Sequence, residues 1–162
     1  MSATGAVASS FLTWPETSFT IEKYTDGITV ETAAFTNNRE IGELEIQKKV
    51  SGTTDKTKDF TFKIALTPPT AVILSDSYPT VDQDGKTGTI SISQDTHEAT
   101  ATLKADQSIV IKNLPAGTTY TIQELALPDG YQKESPSGNP VGTITSTRSV
   151  ETFTNNYSLN TT

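Results

Sequence analysis

Short runs in which apolar and polar residues alternate constrain the fold of this chain more than any other feature. In FTFKIAL, residues 60–66, every second residue is a large apolar one. Such a period of two is typical of a β-strand with one buried face. Similar runs, separated by turn-forming residues, lie at 44–50, 87–93, 99–103, 108–112, 119–125, 142–147 and 150–155. About seven to nine short strands at this spacing predict an all-β fold, an antiparallel β-sandwich of immunoglobulin type.

Composition supports the strands and narrows the possible partners. Thr makes up 30 of the 162 residues, and β-branched residues favour pleated surfaces. With a net charge of −7, the chain has no evident basic patch for nucleic acid or an anionic membrane, so neither partner is expected. It has no cysteine and a single histidine, so we expect neither disulfides nor a metal site or other cofactor. No run approaches the roughly 20 apolar residues of a membrane span.

A sequence repeated near both ends of the chain suggests a tandem architecture. Residues 30–38 read VETAAFTNN and residues 150–156 read VETFTNN. The first copy belongs to a predicted hairpin over 19–35, in which Asp26-Gly27 separates two alternating runs. The repetition indicates that this hairpin is the last hairpin of an upstream copy of the same module. The alternative is an ordinary N-terminal hairpin that packs on the following domain.

The repeat also gives a domain division. We expect an N-terminal segment at 1–40, a remnant of the upstream repeat, then a main module at 41–158 and a short tail at 159–162. In this division Asn37 of the first copy has no evident reaction partners in the chain.

Three polar residues fall on strand faces that should be apolar. Lys48 shares a face with Leu44, Ile46 and Val50, Glu124 alternates with Tyr120 and Ile122, and Asn155 alternates with Phe153. Lys49 and Asn156 are their neighbours of opposite parity. Because burial of an unpaired charge or amide is costly, the three residues need a joint explanation. The first and last strands of a sandwich are often neighbours, which would bring Lys48 and Asn155 together.

A buried Lys, Glu and Asn could react with one another. Burial lowers the pKa of a lysine, so its neutral amine becomes a nucleophile, and burial raises the pKa of a glutamic acid. Attack of Lys48 on Asn155, with Glu124 relaying protons, would expel ammonia and leave an isopeptide bond. Two alternatives remain open: a buried Lys–Glu pair beside an Asn without a covalent bond, or three exposed residues at a sheet edge.

A family resemblance supports the covalent interpretation. The segments LEIQKKVSG, DFTFKIAL, IVIKNLPAGTTYTIQEL, the PDGY turn and the terminal FTNN together resemble the Cna-B-like pilin modules of Gram-positive surface proteins, which form intramolecular isopeptide bonds. The resemblance covers roughly residues 42–157. It implies that Lys48 and Asn155 form the cross-link and that Glu124 is catalytic. It also implies a Cna-B-like sandwich at the extracellular surface or cell wall.

The function expected from this resemblance is structural. The chain would be a stalk or shaft module of a cell-wall-anchored adhesin or pilin, not an enzyme apart from one autocatalytic cross-linking turnover. Its expected partners are neighbouring modules of the same surface protein, with the host matrix as a further candidate, and the isolated fragment is expected to be a monomer.

The alternative function is a ligand-binding adhesin module that recognises a host protein or glycan. Its candidate surface is the Pro-, Asp- and Gly-rich segment 67–86, predicted to be a loop with one short strand at 71–74. Tyr78, Asp82 and Asp84 would carry the contacts. The two aspartates lie in DQDG, which lacks the rest of an EF-hand calcium loop.

Overall fold

The computed structural model describes residues 39–159, and this part of the chain consists of strands and the turns between them. The hairpin predicted at 19–35 and Asn37 lie outside the described residues, so the domain division stays a prediction. Among the described residues, no helix has the length and apolarity to cross a membrane. The strands are β1 (Ile41–Ser51), β2 (Phe60–Thr67), β3 (Ser77–Asp82), β4 (Thr87–Ser91), β5 (Glu98–Leu103), β6 (Ser108–Pro115), β7 (Thr119–Glu124), β8 (Tyr131–Ser135), β9 (Val141–Thr143) and β10 (Ser149–Tyr157).

The strands form two facing sheets, which confirms the predicted all-β sandwich. One sheet has six strands in the order β4-β3-β6-β1-β10-β8, and the other has four in the order β5-β2-β7-β9. All pairs are antiparallel except β1 and β10, which run parallel. The first and last strands of the module are therefore direct neighbours at the centre of the larger sheet.

The core lies between the sheets and is built by the alternating residues of the sequence. In β2 the burial pattern follows the alternation, with Phe60, Phe62, Ile64 and Leu66 all buried. The rings of Phe62 and Phe153 join the two sheets, with centroids 4.8 Å apart. Each large aromatic side chain removes much apolar surface from water, so this contact contributes to holding the two sheets together.

The prediction of a short strand at 71–74 is wrong. Ala71 has a φ of 67°, in the left-handed region, and the N–H of Val72 donates to the Pro69 carbonyl at 3.1 Å. A turn of this kind cannot continue as a strand, because an extended chain needs negative φ. The strand of this segment is β3, further along the chain, where Tyr78 points into the core.

Two further strands differ from the expectation. The run predicted at 142–147 ends as a strand at Thr143, in the short edge strand β9. Strand β8 was not predicted, because of its residues only Tyr131 is buried and no alternation marks it. It exists because it pairs with the end of β10, a contact that is distant along the chain.

Candidate functional site: a buried Lys, Glu and Asn

Three polar side chains from both sheets meet inside the core. Lys48 on β1 and Asn155 on β10 have no exposed surface, and Glu124 on β7, in the facing sheet, is 5% exposed. These are the three residues that the alternation placed on apolar faces. The alternative of three exposed edge residues is wrong, because all three are buried and β1 lies between β6 and β10.

The side chains contact one another in a closed triangle. Lys48 Nζ donates to Asn155 Oδ1, and it lies 3.2 Å from Glu124 Oε1. Asn155 Nδ2 donates to Glu124 Oε2 at 3.0 Å. Glu124 therefore contacts the lysine amine with one carboxylate oxygen and the asparagine amide nitrogen with the other.

The parallel pairing of β1 and β10 brings the amine to the amide. In this register Lys48 lies opposite Phe153, and Asn155 lies opposite Val50. Lys48 and Asn155 are thus diagonal neighbours on the same face, a separation that the long lysine side chain covers. Its Nζ also lies 3.4 Å from the carbonyl oxygen of Phe153.

Aromatic side chains enclose the amine. Lys48 Nζ lies 4.2 Å from the centroid of the Phe60 ring, and Phe60 contacts Tyr131 edge-on with centroids 5.2 Å apart. Burial lowers the pKa of Lys48, while the nearby Glu124 carboxylate and its hydrogen bond act in the opposite direction. Burial thus makes the neutral, nucleophilic amine more accessible at Lys48 than in a lysine exposed to water.

The neighbouring residues of opposite parity lie outside the triangle. The Lys49 side chain is 53% exposed and lies 3.9 Å from Asp106. Asn156 donates from Nδ2 to Ser51 Oγ at 2.9 Å, between β10 and β1. Of the two adjacent lysines and the two adjacent asparagines, only Lys48 and Asn155 face each other in the core.

The residues proposed for a ligand surface in segment 67–86 do not form a common exposed surface. Tyr78 is 4% exposed, and its hydroxyl accepts the N–H of Ser75. Asp82 Oδ1 accepts the backbone N–H groups of Asp84 and Lys86, so it organises the turn between β3 and β4. Within residues 39–159, no group of three or more acidic residues, histidines or cysteines is placed to hold a metal ion.

Strand parity also accounts for a further polar pair beside the triangle, which was not among the predicted site residues. The Tyr120 hydroxyl on β7 donates to Glu151 Oε1 on β10 at 2.7 Å. Glu151 has the same parity as Phe153 and Asn155, so the alternation rule already carried the signal. A fourth polar residue on an apolar face could have been found by extending the rule two residues back.

The chain is similar to one described protein family and to bacterial pilus proteins. A family model described as "Domain of unknown function (DUF7601)" matches residues 42–157. Among curated proteins, the pilus tip adhesin Cpa of Streptococcus pyogenes is 34% identical over 102 residues, which are 59% of this chain and 14% of that protein.

Two solved structures share the fold of the described module. A pilus-presented adhesin, Cpa, is 27% identical with a TM-score of 0.60, over 74% of this chain and 27% of that one. The major pilin from Streptococcus pyogenes is 26% identical with a TM-score of 0.54, over 74% of this chain and 49% of that one. These matches confirm the resemblance to Gram-positive pilin modules, and this chain spans half or less of the length of each of these relatives.

Proposed function

This chain belongs to the DUF7601 family, and from its similarity to streptococcal pilus proteins we propose that it is a stalk or shaft module of a cell-wall-anchored adhesin or pilin. A self-generated isopeptide bond between Lys48 and Asn155 stabilises it. The observation that carries the proposal is the closed triangle of Lys48, Glu124 and Asn155 in the core. The protein acts outside the cell, at the surface, with neighbouring modules of the same surface protein as its partners.

The geometry supports a reaction in which every proton is accounted for. Lys48 Nζ passes a proton to Glu124 Oε1, and the neutral amine attacks Asn155 Cγ. Glu124 gives that proton to Asn155 Nδ2, the C–N bond breaks, and ammonia leaves. The nitrogen of Lys48 then loses one more proton to Glu124, which ends protonated, and the product is a secondary amide. Of the three protons on the Lys48 ammonium, one leaves with the ammonia, one ends on Glu124 and one stays on the amide nitrogen, so the reaction needs no proton from solvent.

The fold supplies the proximity that such a reaction needs. An amide is a poor electrophile, and an intermolecular reaction with an amine is negligible at neutral pH. Holding both groups in contact is worth effective molarities of about 10⁵ M or more. A single turnover is sufficient, because the product is the finished structure.

The mass of the intact protein tests the proposal. We expect the wild-type chain to be lighter than its sequence mass by one ammonia. Lys48→Ala, Asn155→Ala and Glu124→Ala should each have the full sequence mass, because each removes one member of the triangle. Fragmentation should locate the link between residues 48 and 155.

Matched controls lie next to the reacting residues. Lys49→Ala and Asn156→Ala change the same residue types at the outward-facing positions, and both should still lose one ammonia. A loss of two ammonia molecules would indicate that Asn37 has also reacted, against the view that the first FTNN copy lacks partners in this chain. A wild-type chain of unmodified mass would disprove the cross-link.

The adhesin alternative has weaker support. The curated relative is a tip adhesin, but this chain matches 14% of its length, so its binding activity does not transfer as a whole. In the ligand surface proposed in segment 67–86, Tyr78 is not available for contacts because it is buried in the core. A binding screen of the isolated module against host matrix proteins and glycans would distinguish the two roles.

A further inference from the structure

A second polar contact joins the two sheets beside the reactive triangle. Tyr120 on β7 is 3% exposed, and its hydroxyl donates to Glu151 Oε1 on β10 at 2.7 Å. This phenol–carboxylate bond is short, and hydrogen bonds to a carboxylate are about twice as strong as neutral ones. It connects the same two strands that hold Glu124 and Asn155.

The two contacts share one geometric relation. Tyr120 and Glu151 are 31 positions apart in the sequence, and so are Glu124 and Asn155. Strands β7 and β10 therefore run in the same direction across the core, with the polar contacts four residues, or about 13 Å, apart. Ile122 and Phe153 lie between them and are buried.

The local environment keeps the Tyr120 hydroxyl in place as a donor. Burial raises the pKa of Tyr120, and its hydrogen bond to Glu151 raises it further, while a hydrogen bond with Ser149 acts in the opposite direction. The phenol therefore stays protonated at neutral pH. Gly142 on β9 lies against the ring, and a Cβ there would overlap the hydroxyl.

We propose that Tyr120 and Glu151 are positioning residues for the cross-linking reaction: their hydrogen bond sets the alignment of β7 on β10 that places the Glu124 carboxylate on the Asn155 amide. This inference rests on the proposed function of the triangle. Neither residue contacts the reacting atoms, so both act through the strands that carry them.

The physical reason is that apolar contacts between sheets are not directional. The hydrophobic effect rewards burial of Ile122 and Phe153 but does not by itself specify how far one sheet slides along the other. A hydrogen bond specifies that displacement to a fraction of an ångström. Since a misplacement of about 1 Å can cost about a hundredfold in rate, an anchor on the two strands that carry Glu124 and Asn155 is valuable.

The rate of ammonia loss in freshly made protein tests the inference. The full chain is produced by cell-free translation, translation is stopped, and samples quenched in acid at intervals are analysed by intact mass. We expect Tyr120→Phe and Glu151→Ala to slow the reaction by about ten- to a hundredfold. Glu151→Gln, which retains an acceptor oxygen for the Tyr120 hydroxyl, should react within about threefold of wild type.

Tyr78→Phe is the matched control. Tyr78 on β3 is also buried and its hydroxyl also forms a hydrogen bond, but the partner is Ser75, three residues earlier in the chain, and not the facing sheet. The Tyr78→Phe variant should cross-link at the wild-type rate although it too loses the hydrogen bond of a buried tyrosine hydroxyl. The double variant Tyr120→Phe with Glu151→Ala should be no slower than the slower single variant, since the pair acts as one unit.

The outcomes separate this inference from the function on which it rests. An unmodified mass in the wild type removes the cross-link itself. A cross-linking wild type with Tyr120→Phe as fast as Tyr78→Phe overturns the positioning role alone. Equal slowing by Glu151→Gln and Glu151→Ala also overturns it, because the acceptor oxygen would then be irrelevant.

Discussion

At the scale of single residues, the cross-link would remove a costly feature of the core. Before reaction, Lys48 and Glu124 form an ion pair whose side chains are 0% and 2% exposed. A pair this deeply buried gains little stability, because desolvation of the two charges offsets their attraction. Conversion of the amine into a secondary amide eliminates the buried cation. The removal of this desolvation cost thus favours formation of the cross-linked product.

The lowered pKa of Lys48 gives a test in a variant that cannot react. Glu124→Gln removes the proton carrier and also the charge that opposes the effect of burial. The amine then has a pKa below that of the unfolded chain, about 10.4. Between the two pKa values the unfolded state binds more protons, so the free energy of unfolding rises as the pH increases through that window. Urea unfolding at several alkaline pH values measures this slope.

The control for this experiment replaces the lysine as well. Glu124→Gln with Lys48→Met has no buried amine, so its stability should lack this rise with pH. Equal slopes in the two variants would show that the dependence comes from other groups, such as the exposed lysines.

At the scale of elements, the parallel pair β1–β10 is connected on both faces. On the inner face lie Lys48 and Asn155. On the outer face, Arg148 lies 2.8 Å from Glu43 and 3.2 Å from Glu45. Such exposed ion pairs are worth about 0–1 kcal/mol each, so they support the register without determining the stability.

The connection between β7 and β8 depends on a glycine. Gly130 has a φ of +90°, and a Cβ there would lie 2.7 Å from Tyr157 Cε1. Gly130→Ala should therefore lower the free energy of unfolding by about 1–3 kcal/mol, because strain in the left-handed region adds to a clash with a ring. Chemical denaturation measures the difference.

Gly138→Ala, in the connection between β8 and β9, is the control for Gly130→Ala. A Cβ at Gly138 meets no atom within 4 Å, and its φ lies outside the left-handed range. We expect its stability to stay within about 0.5 kcal/mol of wild type, as for most surface changes. If both variants lost equal stability, the contact of Gly130 with Tyr157 would not be the cause.

At the scale of the whole molecule, the proposed bond redirects force. Residues 48 and 155 are 107 positions apart and lie near the ends of two adjacent parallel strands. Tension that enters along β1 would cross the amide to β10 and leave the chain without loading the residues between them. Closure of a loop of this length also stabilises the fold by roughly 4–5 kcal/mol in the chain-entropy description of disulfides. The proposed amide would achieve this in a chain without cysteine.

Asn155→Ala tests this mechanical role. Without the bond, single-molecule pulling on the chain ends should release an additional contour length of about 360 Å, from 107 residues at about 3.4 Å each. Asn156→Ala, which retains the bond, should show no such event. Thermal unfolding should occur at a markedly lower temperature in Asn155→Ala than in Asn156→Ala. A pulling trace of Asn155→Ala equal to that of Asn156→Ala would contradict the proposed force path.

Strand parity predicted the members of the site but not every strand of the fold. The burial of Lys48, Glu124 and Asn155 followed from strand parity, because a period of two ties each position to a face. The same rule contained Glu151. Strand β8 could not be predicted from the sequence because its residues show no alternation. The turn at 71–74 could not be predicted because it depends on the left-handed backbone conformation of Ala71.

The amino-acid sequence alone thus indicated most of the strands, the faces of their residues and the polar side chains that the core would have to accommodate. These are local properties, which the spacing of side chains along an extended chain decides. The parallel pairing of β1 with β10, the packing of β7 across them and the contact of Tyr120 with Glu151 became visible in the folded chain. Those contacts join residues far apart in the chain, and their geometry depends on the packing of both sheets at once.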